Sequence, residues 1–293
     1  MSASRTDPDT DEPGEMRDEA TGCPMIFFLT SHSLWLSATL VVGLTTVLAS
    51  FGPSLVRHYV KLEKLTTNNE IAGFKFATIG VLYAVLLAFA IIVVWEKFSD
   101  ADVTVAQEAG GATTIYRLSS GLDEQAGAAL RDAMSKYLET AITSDWPAME
   151  RHRTAEYRAS RIALDSVYAT LMSVHGSTPR ESAVFSEILR QLDVVTQARR
   201  ARLIAAEGIV PEVIWPILFG GAILTIAFTF FFGTKNLWAQ TAMTALLSLL
   251  IFSELLIIIV VDYPFTGPVQ VEPSALARVL ADFSPAPGGG AAK

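Results

Sequence analysis

The chain has 293 residues, 51% hydrophobic and 18% charged, with a mean hydropathy of +0.39 and a formal net charge of −8. A soluble chain of ordinary composition carries about a quarter of its residues as charges, and the apolar residues here are bunched, so a large soluble core is excluded in favour of a polytopic membrane protein. The acidic surplus argues against nucleic acid as a partner, and the single cysteine, Cys23, can form no internal disulfide.

Residues 1–24 hold Asp7, Asp9, Asp11, Glu12, Glu15, Asp18 and Glu19 against Arg5 and Arg17. With Pro8 and Pro13 and little to bury, they read as a disordered acidic tail. The first three aspartates have the spacing of an EF-hand opening, but Glu12 stands where glycine is needed, so calcium binding is not expected. An acidic n-region has the wrong sign for a cleavable signal peptide, and no apolar segment precedes Cys23 as a lipoprotein would require. The apolar run 25–29 reads as interfacial. Residues 34–56 are the first predicted span, 23 residues without a charge, with Gly52-Pro53 expected to kink or loosen the last turn. The loop that follows carries Arg57, Lys61, Lys64 and Lys75.

The second predicted span, 76–95, has twenty uncharged residues, enough to cross a hydrocarbon core of about 30 Å. Trp95 stands where an interfacial aromatic belongs. Gly73, Ala77, Gly80, Ala84 and Ala88 follow one another at steps of four, three, four and four, a small-residue face that permits close helix–helix approach. The pattern does not stop at the membrane: Phe98, Val105, Ala109, Ala112 and Tyr116 keep one face. An unbroken helix from 76 to 118 would be roughly 65 Å long.

Residues 99–210 read as a soluble insert, an antiparallel helical bundle. Leu122 to Tyr137 mark one helix, Tyr157 to Leu171 a second and Val184 to Leu203 a third. Asp145-Trp146-Pro147 is expected to break the first, and Ser177 or Thr178 to cap the third. The third predicted span is 213–234. The fourth is 236–261, with a single charge, Glu254; an ionisable group at that depth is a functional candidate by default. The two form a tight hairpin. Tyr263-Pro264 to Gly267-Pro268 cannot continue a helix, a short amphipathic helix is expected at 274–283, and PAPGGGAAK is flexible. The domain scheme is therefore tail 1–24, first hairpin 25–98, insert 99–210, second hairpin 211–262 and exit segment 263–293, all-α throughout.

Enzyme signals are absent. His32, His58, His152 and His175 are scattered, with no metal-binding spacing, and there is no Walker loop or GxSxG elbow. No catalytic, cofactor or metal site is expected, and the chain does not read as an enzyme. Arg199, Arg200 and Arg202 cluster shortly before the third span; they read either as a solvated face near lipid headgroups or as an anion-attracting vestibule.

The segments NNEIAGF, GVLYAVLLAFAIIVVWEKF, VAQEA, DWP, ARRARL and DYPFTGPV resemble the bacterial bestrophin-like membrane proteins, over about residues 34–271. The signature positions are Asn69, Glu70, Trp95, Glu96, Trp146, Asp262, Pro264, Phe265 and Gly267. More distantly the layout is similar to that of true bestrophins, pentameric anion channels with four spans and a helical body between the second and third. That resemblance implies a homo-oligomer in the bilayer passing small inorganic anions, with a neck of bulky apolar residues on the second span. Ile79, Tyr83 and Leu86 or Leu87 match that stripe, though Tyr83 departs from an all-apolar neck, and Glu254 joins them as a candidate pore residue. The bestrophin calcium clasp has no counterpart. A second reading is a non-conducting scaffold or sensor whose insert binds a ligand or partner.

The expected location is a bacterial inner membrane, with both termini and the insert on one side of four crossings. The two tight loops hold Arg57, Lys61, Lys64, Lys75 and Lys235; the other side holds Arg17, Lys97, Arg199, Arg200 and Arg202. This tie is broken by the first span, with an acidic tail before it and three basic residues after it. The charges thus favour an extracytoplasmic insert, whereas the bestrophin layout favours a cytosolic one.

Overall fold

A computed structural model describes residues 34–67, 69–151, 157–174 and 178–283. The acidic tail, Cys23, the run 25–29, His32, His152, His175, Ser177 and the PAPGGGAAK end lie outside them. The described residues form helices and turns only. Leu34–Ala38, a π-helical stretch Thr39–Leu44 and Thr45–Tyr59 follow one another as a single rod, α1. After it come α2 (Leu62–Thr66), α3 (Asn69–Leu118), α4 (Glu124–Thr140), α5 (Trp146–Glu150), α6 (Arg158–Met172), α7 (Pro179–Ala205), α8 (Ile214–Thr229), α9 (Leu237–Val261) and α10 (Ser274–Phe283).

The axis of the molecule is α3, 50 residues without a break, or about 75 Å. Its first half runs among the spans and its second half is a wall of the insert. Two apolar cores lie along it. One joins α1, α3, α8 and α9 through Val41, Ala49, Leu87, Val94, Leu218 and Leu255. The other joins the far half of α3 to α4, α6, α7 and α10 through Ile115, Leu130, Leu171, Leu192 and Leu276, so the insert closes a core of its own. Phe98 packs against both.

Within the insert, α3 buries Ala101, Val105, Ala109 and Ala112 and meets α7 at Gly111. Small residues let the two helices lie close. A Cβ on Gly111 would sit 2.8 Å from Val195 and 3.3 Å from the Gln191 carbonyl. Asp123 caps α4 by accepting the Ala126 amide at 3.0 Å. Thr178 and Glu181 form a reciprocal capping box at the start of α7.

Three local expectations are corrected. Asp145-Trp146-Pro147 does not break the helix: a π-helical stretch, Ala141–Asp145, carries α4 into α5. Pro147, which has no N–H to donate, falls in the first turn of α5, directly after that π-helical stretch. Gly52-Pro53 does not end α1, which runs on to Tyr59, and Gly52 leaves room for the Phe230 ring directly against the backbone. The third apolar helix stops at Thr229 rather than 234. The Gln240 side-chain amide donates to the Phe232 carbonyl at 2.7 Å and, at 3.4 Å each, to those of Thr229 and Phe230. Those carbonyls are thereby satisfied without another helical turn.

Among the described residues three helices, Trp35–Tyr59, Asn69–Gly121 and Leu237–Val261, are long and apolar enough to cross a membrane. Helix α8 has only 16 residues, about 24 Å, but its flanks extend it. At one end the amides of Ile209 and Val210 donate to the Asp262 carboxylate just past α9. At the other, Asn69 and Gly233 exchange two hydrogen bonds of 2.7 and 3.0 Å, and Arg57 donates to the Thr234 carbonyl. Residues 210–233 therefore cover the same depth as α9.

Candidate functional site

The inward face of α3 among the spans is narrow. Tyr83, Leu87 and Val94 are its buried residues. The Tyr83 hydroxyl donates to the Leu218 carbonyl of α8 at 2.7 Å, and its ring fills the place where a Cβ on Gly221 would be. Tyr83 thus fastens α3 to α8 inside the subunit and leaves the predicted pore-lining stripe, as does Leu87. Ile79 remains exposed and Leu86 half-buried. Glu254 is half-buried on α9.

The small stripe is unused within the subunit. Nothing lies within 4 Å of a Cβ built on Gly73 or Gly80, and Ala77, Ala84 and Ala88 are exposed. At about 100° per residue, this stripe flanks the inward face on one side and Ile79 with Leu86 flank it on the other. Trp95, Glu96 and Glu70 are exposed, with Trp95 stacked on Phe98 at 6.1 Å.

The three arginines part company. Arg200 is exposed. Arg202 is fully buried, so it is neither a headgroup contact nor a vestibule residue. Its Nε donates to Glu108 Oε2 at 2.7 Å, and its Nη2 to Glu108 Oε1 and Asp145 Oδ2, each at 3.1 Å. The guanidinium also lies 4.6 Å from the centre of the Trp146 ring. Arg199 is nearly buried, with Nε 3.8 Å from Asp145 Oδ2 and Nη2 donating to Ser160 Oγ at 2.7 Å. The physical reason is that both arginines face the acidic groups of α3 and of the π-helical stretch. A buried guanidinium is stable only where carboxylates neutralise it. Tyr137 completes the cluster, donating to Glu108 Oε1 at 2.5 Å. Burial and the Glu108 charge hold the phenol well above its ordinary value. Burial also pushes the Asp145 carboxyl up, against the pull of Arg202 and Arg199.

The exit segment is strapped over this cluster. Trp146 Nε1 donates to the Val271 carbonyl at 3.1 Å and its ring meets Phe265 edge-on at 5.9 Å. Val271 donates to the Pro264 carbonyl at 2.7 Å, closing a loop in which Gly267 adopts a φ of 86°, a conformation that favours glycine. Asp262 Oδ1 accepts the Val210 and Ile209 amides at 2.7 and 3.1 Å, and burial raises this carboxyl to about 6. The signature residues Trp146, Asp262, Pro264, Phe265 and Gly267 thus converge at the junction of spans and insert. Asn69 serves the opposite end, tying the two tight loops together.

Sequence reasoning missed Glu108, Tyr137 and Asp145. One signal was present: Glu108 interrupts the small, apolar face of Val105, Ala109 and Ala112, where an unpaired charge would be costly.

This is an all-helical membrane protein in which one helix serves both as a span and as a wall of the folded insert. The family model for the bestrophin-like domain matches residues 43–276, and the chain belongs to that family. Its fold is similar to the crystal structure of a bacterial bestrophin homologue from Klebsiella pneumoniae carrying a point mutation, with a TM-score of 0.61 and 13% identity over 83% of this chain and 98% of the other. No curated protein matches the chain.

Proposed function

We propose that the chain assembles as a symmetric homo-oligomer whose α3 helices surround an ion-conducting path for small inorganic anions. One observation carries the reading: α3 is the central helix, yet only 17% of its most apolar window is buried inside the subunit, against 50% for α9. A helix fixed at its far end in the insert core and bare along its span has faces left for lipid, for neighbouring subunits and for a path between them. The small stripe suits the subunit contact. Ile79 and Leu86, on the opposite flank, are the proposed lining residues, with Glu254 near the same path. Pentameric assembly is the stoichiometry that the bestrophin likeness suggests. The equal depth of residues 210–233 and α9 supports four crossings.

The experiment is reconstitution of the purified oligomer in planar bilayers under a chloride gradient. Anion-selective currents altered by Ile79→Ala or Leu86→Ala support the reading. A stable but electrically silent oligomer without an axial cavity favours the scaffold or sensor.

A further inference from the structure

A cavity of ≈ 470 Å³ lies between α1, α8 and α9. Leu44 and Leu48 wall it from α1, Phe219 and Ile223 from α8, Phe230 from just past the end of α8, and Phe252 from α9. Leu44, Leu48 and Ile223 are themselves exposed, so the cavity opens sideways at the depth of the spans. The one polar residue in its lining, Thr45, spends its hydroxyl on the carbonyls of Val41 and Val42, beside the π-helical stretch of α1. Nothing in this wall can hold a polar ligand, while the volume lies in the range of ordinary ligand sites.

Two turns past Ala49, the last α1 residue of the lining, stands Arg57, about 12 Å further along the helix. Its Nη2 donates only to neutral acceptors: the Thr234 carbonyl, the Thr234 hydroxyl at 3.2 Å and Gln240 Oε1 at 2.9 Å. Its Nε is buried without a partner. Among the described residues no carboxylate pairs with it. Lys61, Lys64 and Lys235 are exposed at the same end of the bundle, and so are the aromatic rings of Tyr59 and Trp238. Such rings mark the headgroup level of a bilayer. The structure therefore sets an apolar slot at hydrocarbon depth below a cation at headgroup depth that no carboxylate among the described residues neutralises.

We propose that this face is a binding site for an anionic phospholipid, with an acyl chain in the α1/α8/α9 cavity and the phosphate held by Arg57. Charge complementarity selects the occupant. A neutral lipid would fill the slot but leave the Arg57 charge unmatched, and basic groups at this depth attract anionic headgroups by about five-fold each. The site rests on membrane embedding alone, so its failure leaves the proposal of a pore untouched.

The test uses the full-length protein in detergent, exposed to equimolar phosphatidylglycerol and phosphatidylcholine with identical chains, and native mass spectrometry of the lipid retained. The parent is expected to retain phosphatidylglycerol by about five-fold or more over phosphatidylcholine. Arg57→Lys keeps the preference, Arg57→Gln lowers it by about five-fold while still binding lipid, and Ala227→Phe, which fills the cavity, loses retention of both. Thermal unfolding of each variant shows whether it has folded. Equal retention of the two lipids by the parent, or no retention, overturns the proposal. So does a folded Arg57→Gln protein with the preference intact, or a folded Ala227→Phe protein that retains phosphatidylglycerol as the parent does.

Discussion

Glu108 and Arg202 are joined by two hydrogen bonds of 2.7 and 3.1 Å between side chains with no solvent exposure. The pair ties α3 to α7, and through Asp145 it reaches the stretch that holds Trp146 against the exit segment. Removing one partner leaves the other charged and buried. Arg202→Met should therefore destabilise the protein by about 3–5 kcal/mol. Arg202→Lys should recover only part of this, since an ammonium cannot reproduce the bidentate fork. Thermal unfolding in a fixed detergent measures both; an Arg202→Met protein as stable as the parent would show that the cluster contributes nothing to the fold.

Asp262 gives a pH dependence with a definite sign. Burial raises its carboxyl to about 6 in the folded state, above its unfolded value of about 3.9. The folded protein therefore holds this proton more tightly. Its contribution to stability is complete below the unfolded value and is lost as pH rises through about 6. Both amide bonds use Oδ1, so protonation at Oδ2 costs neither. Asp262→Asn should keep the loop and remove this part of the slope, at most about 1.4 kcal/mol per pH unit between pH 4 and 6. Parallel unfolding curves for parent and variant across that window would contradict the assignment.

Two substitutions on the α3/α8 pair should separate folding from assembly. Gly80 has open space where a side chain would go. Gly80→Leu should therefore leave the subunit's unfolding temperature unchanged and reduce the oligomer on size-exclusion chromatography with light scattering. Gly221→Ala should do the reverse, because its Cβ would overlap the Tyr83 ring; a cost of about 1–3 kcal/mol is expected. A Gly80→Leu protein that elutes as the parent oligomer would mean that the stripe faces lipid.

Much of the helical plan was legible in the residues. The α3 pattern continued past Trp95 because the apolar face recurs at helical spacing on both sides of the membrane boundary. The bounds of α10 follow from its strong amphipathic alternation, and Thr178 with Glu181 is a local cap that needs no tertiary information. What was not legible depends on partners distant in the chain. The end of α8 is set by Gln240, and Tyr83 is turned inward by the space at Gly221. The arginine cluster looked like a solvated face because its carboxylates lie 94 and 57 residues away, at Glu108 and Asp145.

Charges near the ends of the first span favour one orientation. Arg57, Lys61 and Lys64 follow the first span, and an acidic tail precedes it; from this we propose that the tight loops face the cytoplasm and the insert lies outside. A reporter fused after Lys293 and active only in the cytoplasm is expected to be silent. Activity there would reverse the orientation and match the bestrophin layout. Labelling should find Lys61 and Lys235 on one face and Arg200 on the other; Lys61 and Arg200 on the same face would contradict four crossings.

The central claim, that α3 helices from several subunits enclose an anion path, is tested most directly by single-channel recording from the purified oligomer in a planar bilayer with unequal chloride on the two sides. The account predicts discrete currents whose reversal potential shifts toward the chloride equilibrium value, with conductance changed by Ile79→Ala. Reversal at the cation equilibrium value, or a structurally intact oligomer that passes no current, would contradict it.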